Sequence, residues 1–166
     1  WGVALSDALE ENGLKVPEFG RGLQKSLRAL GLPGRASVRN PADFGASGLF
    51  LSQETPISLA REILASGDVD ALVVHGIGRP GMHDAHTPPE MKIFLEIEKN
   101  QIKGICKLEK DFDLPVLIGS YYSPWQSQAV NDLNQDGIRV YNRLTEIAQL
   151  LSLMHQFSCT YAHSET

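Results

Sequence analysis

Cysteine is scarce: Cys106 and Cys159 are the two in 166 residues, and they stand at no metal-ligand spacing. They imply neither a disulfide framework nor a zinc site, and read as reduced thiols of a cytoplasmic protein. Positive charge is also in deficit, with 15 basic against 20 acidic residues and a net charge of -5. A nucleic-acid or anionic-membrane surface needs a basic face, so neither partner is expected. No apolar run approaches the roughly 20 residues of a membrane span, and no secretory signal pattern is visible. Internal repeats, low-complexity tracts and linkers are missing too. What is there, 42% hydrophobic and 21% charged residues, is an ordinary globular balance. The length suits one domain whose core needs no staples. The chain starts at Trp1 rather than Met, and is read as a fragment or as a chain that has lost a flexible start.

Periodicity supplies the elements. Val3 to Asn12 reads as a helix with Val3, Leu5, Ala8 and Leu9 near one face, closed by Gly13. A second helix, Arg21 to Leu30, carries Leu23, Leu27 and Leu30 and stops at Gly31. Ala36 to Arg39 reads as a short strand, broken at Asn40-Pro41-Ala42-Asp43 because Pro41 cannot continue a ladder. Pro56 to Ser66 reads as a helix ending at Gly67. Asp70 to Ile77 is the clearest strand: Ala71-Leu72-Val73-Val74 is apolar without alternation, as a strand covered on both faces should be. Thr87-Pro88-Pro89-Glu90 opens a long helix as a capping box. Leu114 to Gly119 is a second buried strand, and Ser123-Pro124-Trp125-Gln126 repeats the capping signature for a helix that ends at Gly137. Ile138 to Tyr141 is a last short strand, and Asn142 is expected to cap a final helix. Residues 158–166 read as a frayed tail after a domain spanning 1–157.

Strands alternating with helices demand an α/β fold with a parallel sheet and right-handed crossovers. Ligands bind beyond the carboxyl ends of such strands. Three strand exits, Asn40 to Gly48, His75 to His86 and Ser120 to Trp125, should therefore share one edge. The chain opens with a helix, so the strand that a doubly wound sheet places before it is expected to be missing, leaving four strands and a gap.

Asn40 and Asp43 read as turn chemistry or as an active-site edge. Gly76, Gly78 and Arg79 resemble a phosphate cradle in outline but lack the lysine and hydroxyl of a P-loop; Arg79 either meets an anion or faces solvent. His75, at the end of a buried strand, reads as a structural histidine with an acid–base role as the alternative. His83, Asp84 and His86 are too loosely spaced for a metal centre, and no metal is expected. Tyr121, Tyr122 and Trp125 either cap the core edge or pack on a neighbouring domain.

The run Gly2-Val3-Ala4-Leu5-Ser6-Asp7-Ala8-Leu9-Glu10-Glu11-Asn12-Gly13-Leu14 resembles the start of the second flavodoxin-like ligase domain of NDP-forming acyl-CoA synthetases. So do Ala36-Ser37-Val38-Arg39-Asn40-Pro41-Ala42-Asp43, the Asp68-Val69-Asp70-Ala71 lead into a valine-rich strand, and Gly137-Ile138-Arg139-Val140-Tyr141. The ordered motifs cover residues 2–154; the succinyl-CoA synthetase β subunit is a more distant relative. The resemblance implies a three-layer flavodoxin-like fold and an enzyme interconverting acyl-CoA, NDP and phosphate with acid, CoA and NTP through a phosphohistidine. It implies that Gly2 and Val3 start a helix that binds the phosphate; Asn40, Asp43, Gly76, Gly78 and Arg79 are candidates for the active-site edge from their place at the strand exits, not from the resemblance. The phosphorylated histidine, the CoA-binding domain and the ATP-grasp domain that handles ATP or ADP with Mg are expected outside this chain, as its partners. The catalytic residues would then lie elsewhere and the isolated chain would be inactive. The alternative is a non-catalytic interaction or regulatory domain of a synthetase-like protein. A free-standing FMN-binding flavodoxin fits worst, because it needs a phosphate loop after a first strand.

Overall fold

The computed structural model describes residues 1–44, 52–79 and 88–162. They form six helices and three strands: α1 (Gly2–Glu11), α2 (Arg21–Ala29), α3 (Glu54–Ala65), β1 (Leu72–His75), α4 (Pro89–Phe112), β2 (Val116–Gly119), α5 (Gln128–Gln135), β3 (Val140–Tyr141) and α6 (Leu144–Ala162). The sheet is wholly parallel in the order β1-β2-β3, with Leu72 opposite Val116, His75 opposite Gly119, and Ile118 opposite Val140. This mixed α/β arrangement is consistent with a flavodoxin-like fold.

Alternate strand residues point to opposite faces, and each face is covered. Leu72, Val74, Ile118 and Val140 meet α3, α4 and α5 through Ala60, Ile102, Ile105 and Leu133. Ala71, Val73 and Leu117 meet α1 and α6 through Leu5, Leu9, Ile147 and Leu151. A further cluster seats Leu23 and Leu27 of α2 on Leu59 and Ile63 of α3. Lys99 of α4 clamps α5 through Asp132 at 2.8 Å, and Lys103 does so through Asp136 at 2.7 Å.

Several expectations need correction. Ala36 to Arg39 is not a strand of the sheet. Ser37 instead exchanges both backbone bonds with Asp43, N–H to C=O at 2.7 and 3.1 Å, in an isolated antiparallel bridge. That bridge uses the groups a parallel neighbour would need. Ala36 and Val38 are buried all the same, so the apolar alternation reports packing rather than pairing, and the sheet has three described strands instead of four. α4 starts one residue late: Pro88 is its N-cap, without a side-chain bond, and Pro89 takes the first turn. Thr87 lies outside the described residues. The signature at Ser123 closes a lone turn, in which Gln126 Oε1 accepts the Ser123 N–H at 3.0 Å. Ser127 is the true cap of α5, accepting from the Val130 N–H. α6 begins at Leu144, past Asn142, and runs on through Ala162. Gly45, Gly48, His83, Asp84 and His86 lie outside the described residues.

One edge is open. Leu72 and Gly76 donate to Pro115 and Gly119 of the β2 side, so in a parallel ladder Val73 and His75 aim their N–H and C=O the other way. No backbone partner meets them among the described residues, and all four β1 residues stay half-buried.

Candidate functional site

The carboxyl ends of the strands gather the residues singled out above. Tyr121, two residues past β2, lies between Trp1 and His75, with ring centroids at 3.8 and 4.5 Å. Tyr122 meets Tyr121 edge-on at 6.3 Å. Pro41 approaches Gly2 so closely that a methyl group there would come within 2.9 Å of the proline Cγ. The exits of β1 and β2 share one edge, as a parallel sheet requires, and the start of α1 and the turn at Asn40 pack onto it.

α1 presents a bare N-terminus. Its N-cap is Trp1, no side chain caps it, and its first turn holds no acidic residue. The first intrahelical bond is donated by Leu5 to the Trp1 carbonyl at 2.9 Å, so the N–H groups of Gly2, Val3 and Ala4 precede the ladder. Val3 is 70% exposed. Such a terminus attracts anions through open donors and the helix dipole. The Asn40–Pro41 peptide beside it is cis. The turn around it is steadied by Ser37, whose hydroxyl accepts from the Arg39 N–H at 3.3 Å, and Asn40 itself is half-buried.

The loop leaving β1 is built around Gly78. Its φ is +81°, and a Cβ would meet Val130 Cγ2 at 2.6 Å and Ser127 Oγ at 2.8 Å. Gly78 donates its N–H to Glu98 Oε2 at 3.2 Å. The buried Ser120 donates to the Ile77 carbonyl at 2.7 Å and accepts from the Tyr122 N–H at 3.0 Å. Gly76, with φ +96°, has open space where a Cβ would be. Arg79 is exposed. Sequence reading put Ser120 at a strand exit without giving it a role, and missed Ser127 and Glu98. The two serines carried a signal, being small polar residues at a strand exit and a helix start; Glu98 sits in the charged run of α4 and carried none.

Burial holds His75 below the usual histidine range. Burial pushes the Tyr121 phenol up to about 12; its hydroxyl has no partner among the described residues. Burial raises the Glu98 carboxyl, opposed by the Gly78 N–H and the charge of Arg79. The edge therefore combines backbone donors, a neutral imidazole and an aromatic wall. Folded His75 binds fewer protons than unfolded His75, so its contribution to stability is lost as pH falls through the ordinary histidine pKa of about 6.5. Urea midpoints are expected to drop between about pH 7.5 and 5.5, with a shallower slope in His75→Gln. An unchanged slope in that variant would remove His75 as the source.

Trp125 is 93% exposed. Among the described residues no group of three His, Cys, Asp or Glu side chains could hold a metal ion, and no helix is long and apolar enough to cross a membrane.

No family model and no curated protein matches the chain. Solved structures do. PH0766 from Pyrococcus horikoshii OT3 is similar with 25% identity and a TM-score of 0.66, over 91% of this chain and 32% of that one. The dinucleotide forming acetyl-coenzyme A synthetase 1 of Ca. Korarchaeum cryptofilum, in its apo form, is similar with 24% identity and a TM-score of 0.65, over 95% of this chain and 31% of that one. Its complex with phosphate and ADP gives 23% and 0.65, over 95% and 30%. The chain spans about a third of the length of these neighbours, and the likeness is one of fold.

Proposed function

We propose that this chain is a flavodoxin-like domain of an NDP-forming acid–CoA ligase, and that α1 offers its N-terminus to a phosphoryl group in transit between active sites. The observation that carries this reading is the uncapped, acid-free start of α1 at the carboxyl edge of a parallel sheet. The fold shared with an acetyl-CoA synthetase solved with phosphate and ADP supports it. In this reading Gly2 and Val3 donate backbone N–H groups to the phosphate. Asn40, Asp43, Gly76, Gly78 and Arg79 border the same edge. CoA, the nucleotide with Mg and the phosphorylated histidine belong to other domains, which pack against this edge and its aromatic residues. A strand leading into Trp1 would run beside β1 and take up the open groups of Val73 and His75.

The test is Val3→Asp in the longer polypeptide that carries this domain. Val3 is exposed, and an aspartate in the first turn favours a helix by about 0.3–1 kcal/mol. Stability should hold or rise. A carboxylate on the phosphate's position should nonetheless lower acyl-CoA formation at least about tenfold, a loss of roughly 1.4 kcal/mol in transition-state binding. Full activity in that variant would eliminate the phosphate role of α1. It would leave the rival reading, a non-catalytic interaction domain.

A further inference from the structure

The net charge of -5 hides an uneven distribution. Residues 15–39 hold Lys15, Arg21, Lys25, Arg28, Arg35 and Arg39 against Glu18 alone, a net +5 in an otherwise acidic chain. On α2, Arg21, Lys25 and Arg28 recur at helical spacing, opposite the buried Leu23 and Leu27. Lys25 and Arg28 face Arg39 across an open cleft of about 330 Å³, completed by Gln24, Ser37 and Val38.

Two further observations give the cleft a chemistry. Its cations are poorly neutralised. Lys99 and Lys103 on α4 reach carboxylates at 2.8 and 2.7 Å, whereas Lys25 and Arg28 form no ion pair among the described residues. Arg28 is held in place without losing charge, since its guanidinium donates to the carbonyls of Pro33, at 3.1 Å, and Ala36. The rim, moreover, already carries one anionic oxygen. Glu18 Oε1 stands 3.5 Å from Arg39 Nε and accepts from the Gln24 amide at 3.0 Å.

We propose that this cleft binds a phosphate-bearing small molecule, whose oxygens sit among Lys25, Arg28 and Arg39 and displace the Glu18 carboxylate. A concave site of about 300 Å³ suits a small ligand, and preset guanidinium groups suit phosphate oxygens. An acidic protein segment would need no such concavity. The inference does not rest on the α1 terminus and uses none of the residues assigned to it.

The experiment is amide NMR on the full chain titrated with inorganic pyrophosphate at constant ionic strength. Saturable shifts at 24–28 and 37–39 are expected. The double variant Lys25→Gln, Arg39→Gln should weaken binding at least about tenfold. Glu18→Gln should tighten it by removing the competing carboxylate. All three positions are exposed, and unchanged urea midpoints would verify folding; Arg28 is left intact because it supports the turn. Shifts that do not saturate, or affinity unchanged in the double variant, would overturn the proposal. So would saturation by an acidic peptide alone, which would mark a protein-docking face instead.

Discussion

Gly78→Ala is expected to destabilise the protein by about 3 kcal/mol or more. Two independent costs meet there. The backbone has φ +81°, which costs an L-residue roughly 1–2 kcal/mol. The added methyl lands 2.6 Å from Val130 Cγ2 and 2.8 Å from Ser127 Oγ, and overpacking of this kind costs about 1–3 kcal/mol. Neither neighbour can yield easily: both side chains are buried, and Ser127 caps α5. In a domain of this size the melting temperature should fall by roughly 6–12 °C. Gly76→Ala is the control, because φ is +96° with nothing within 4 Å of the new atom. It should show the conformational cost alone, about 1–2 kcal/mol. Equal losses in urea unfolding would refute the packing half of the argument.

Gly78 also marks where sequence reading reached and where it stopped. The spacing of glycines after β1 announced a special loop, because apolar strands that end in glycine at a sheet's carboxyl edge have few other uses. What the glycine avoids was not legible, since Ser127 and Val130 reach it from some fifty residues away. The same division holds elsewhere. Gly13 and Gly137 read as helix stops, and both take left-handed φ, 80° and 83°, because that signal is local. The buried strands were legible as uninterrupted apolar runs. Ala36 to Arg39 failed because alternation identifies a buried face and not a pairing partner; Ser37 found Asp43 instead of the sheet. Ser123 failed because only half of its box formed, Gln126 Oε1 accepting the Ser123 N–H around a single turn, and Ser127 lay four residues on as a competing cap. Trp1 and Pro41 join His75 and Tyr121 through packing, whereas the shared edge of the β1 and β2 exits followed from topology. The Glu98 contact and the basic cleft did not, because each joins residues whose proximity only packing decides.

Gly119→Ala should cost about 2–3 kcal/mol and report on the site as well as the core. Gly119 is paired with His75 across β1 and β2, and the imidazole lies directly over it. An added Cβ would stand 2.4 Å from His75 Cδ2 and 2.9 Å from Ile147 Cδ1. No real contact is that short, so something must move. Ile147 can turn the end of its chain, but His75 can clear the methyl only by leaving its position against Tyr121, 4.5 Å between centroids. Swinging out exposes the ring and removes the main cause of its lowered pKa. The His75 titration, followed by NMR, should therefore rise toward the ordinary value of about 6.5 as stability falls. Trimming the obstruction should reverse part of the loss. In a double-mutant cycle with His75→Ala, the coupling between positions 75 and 119 should be favourable by about 1–2 kcal/mol. If the two costs simply add, the imidazole is not what limits position 119, and the clash must be resolved by a shift of β2 against α6.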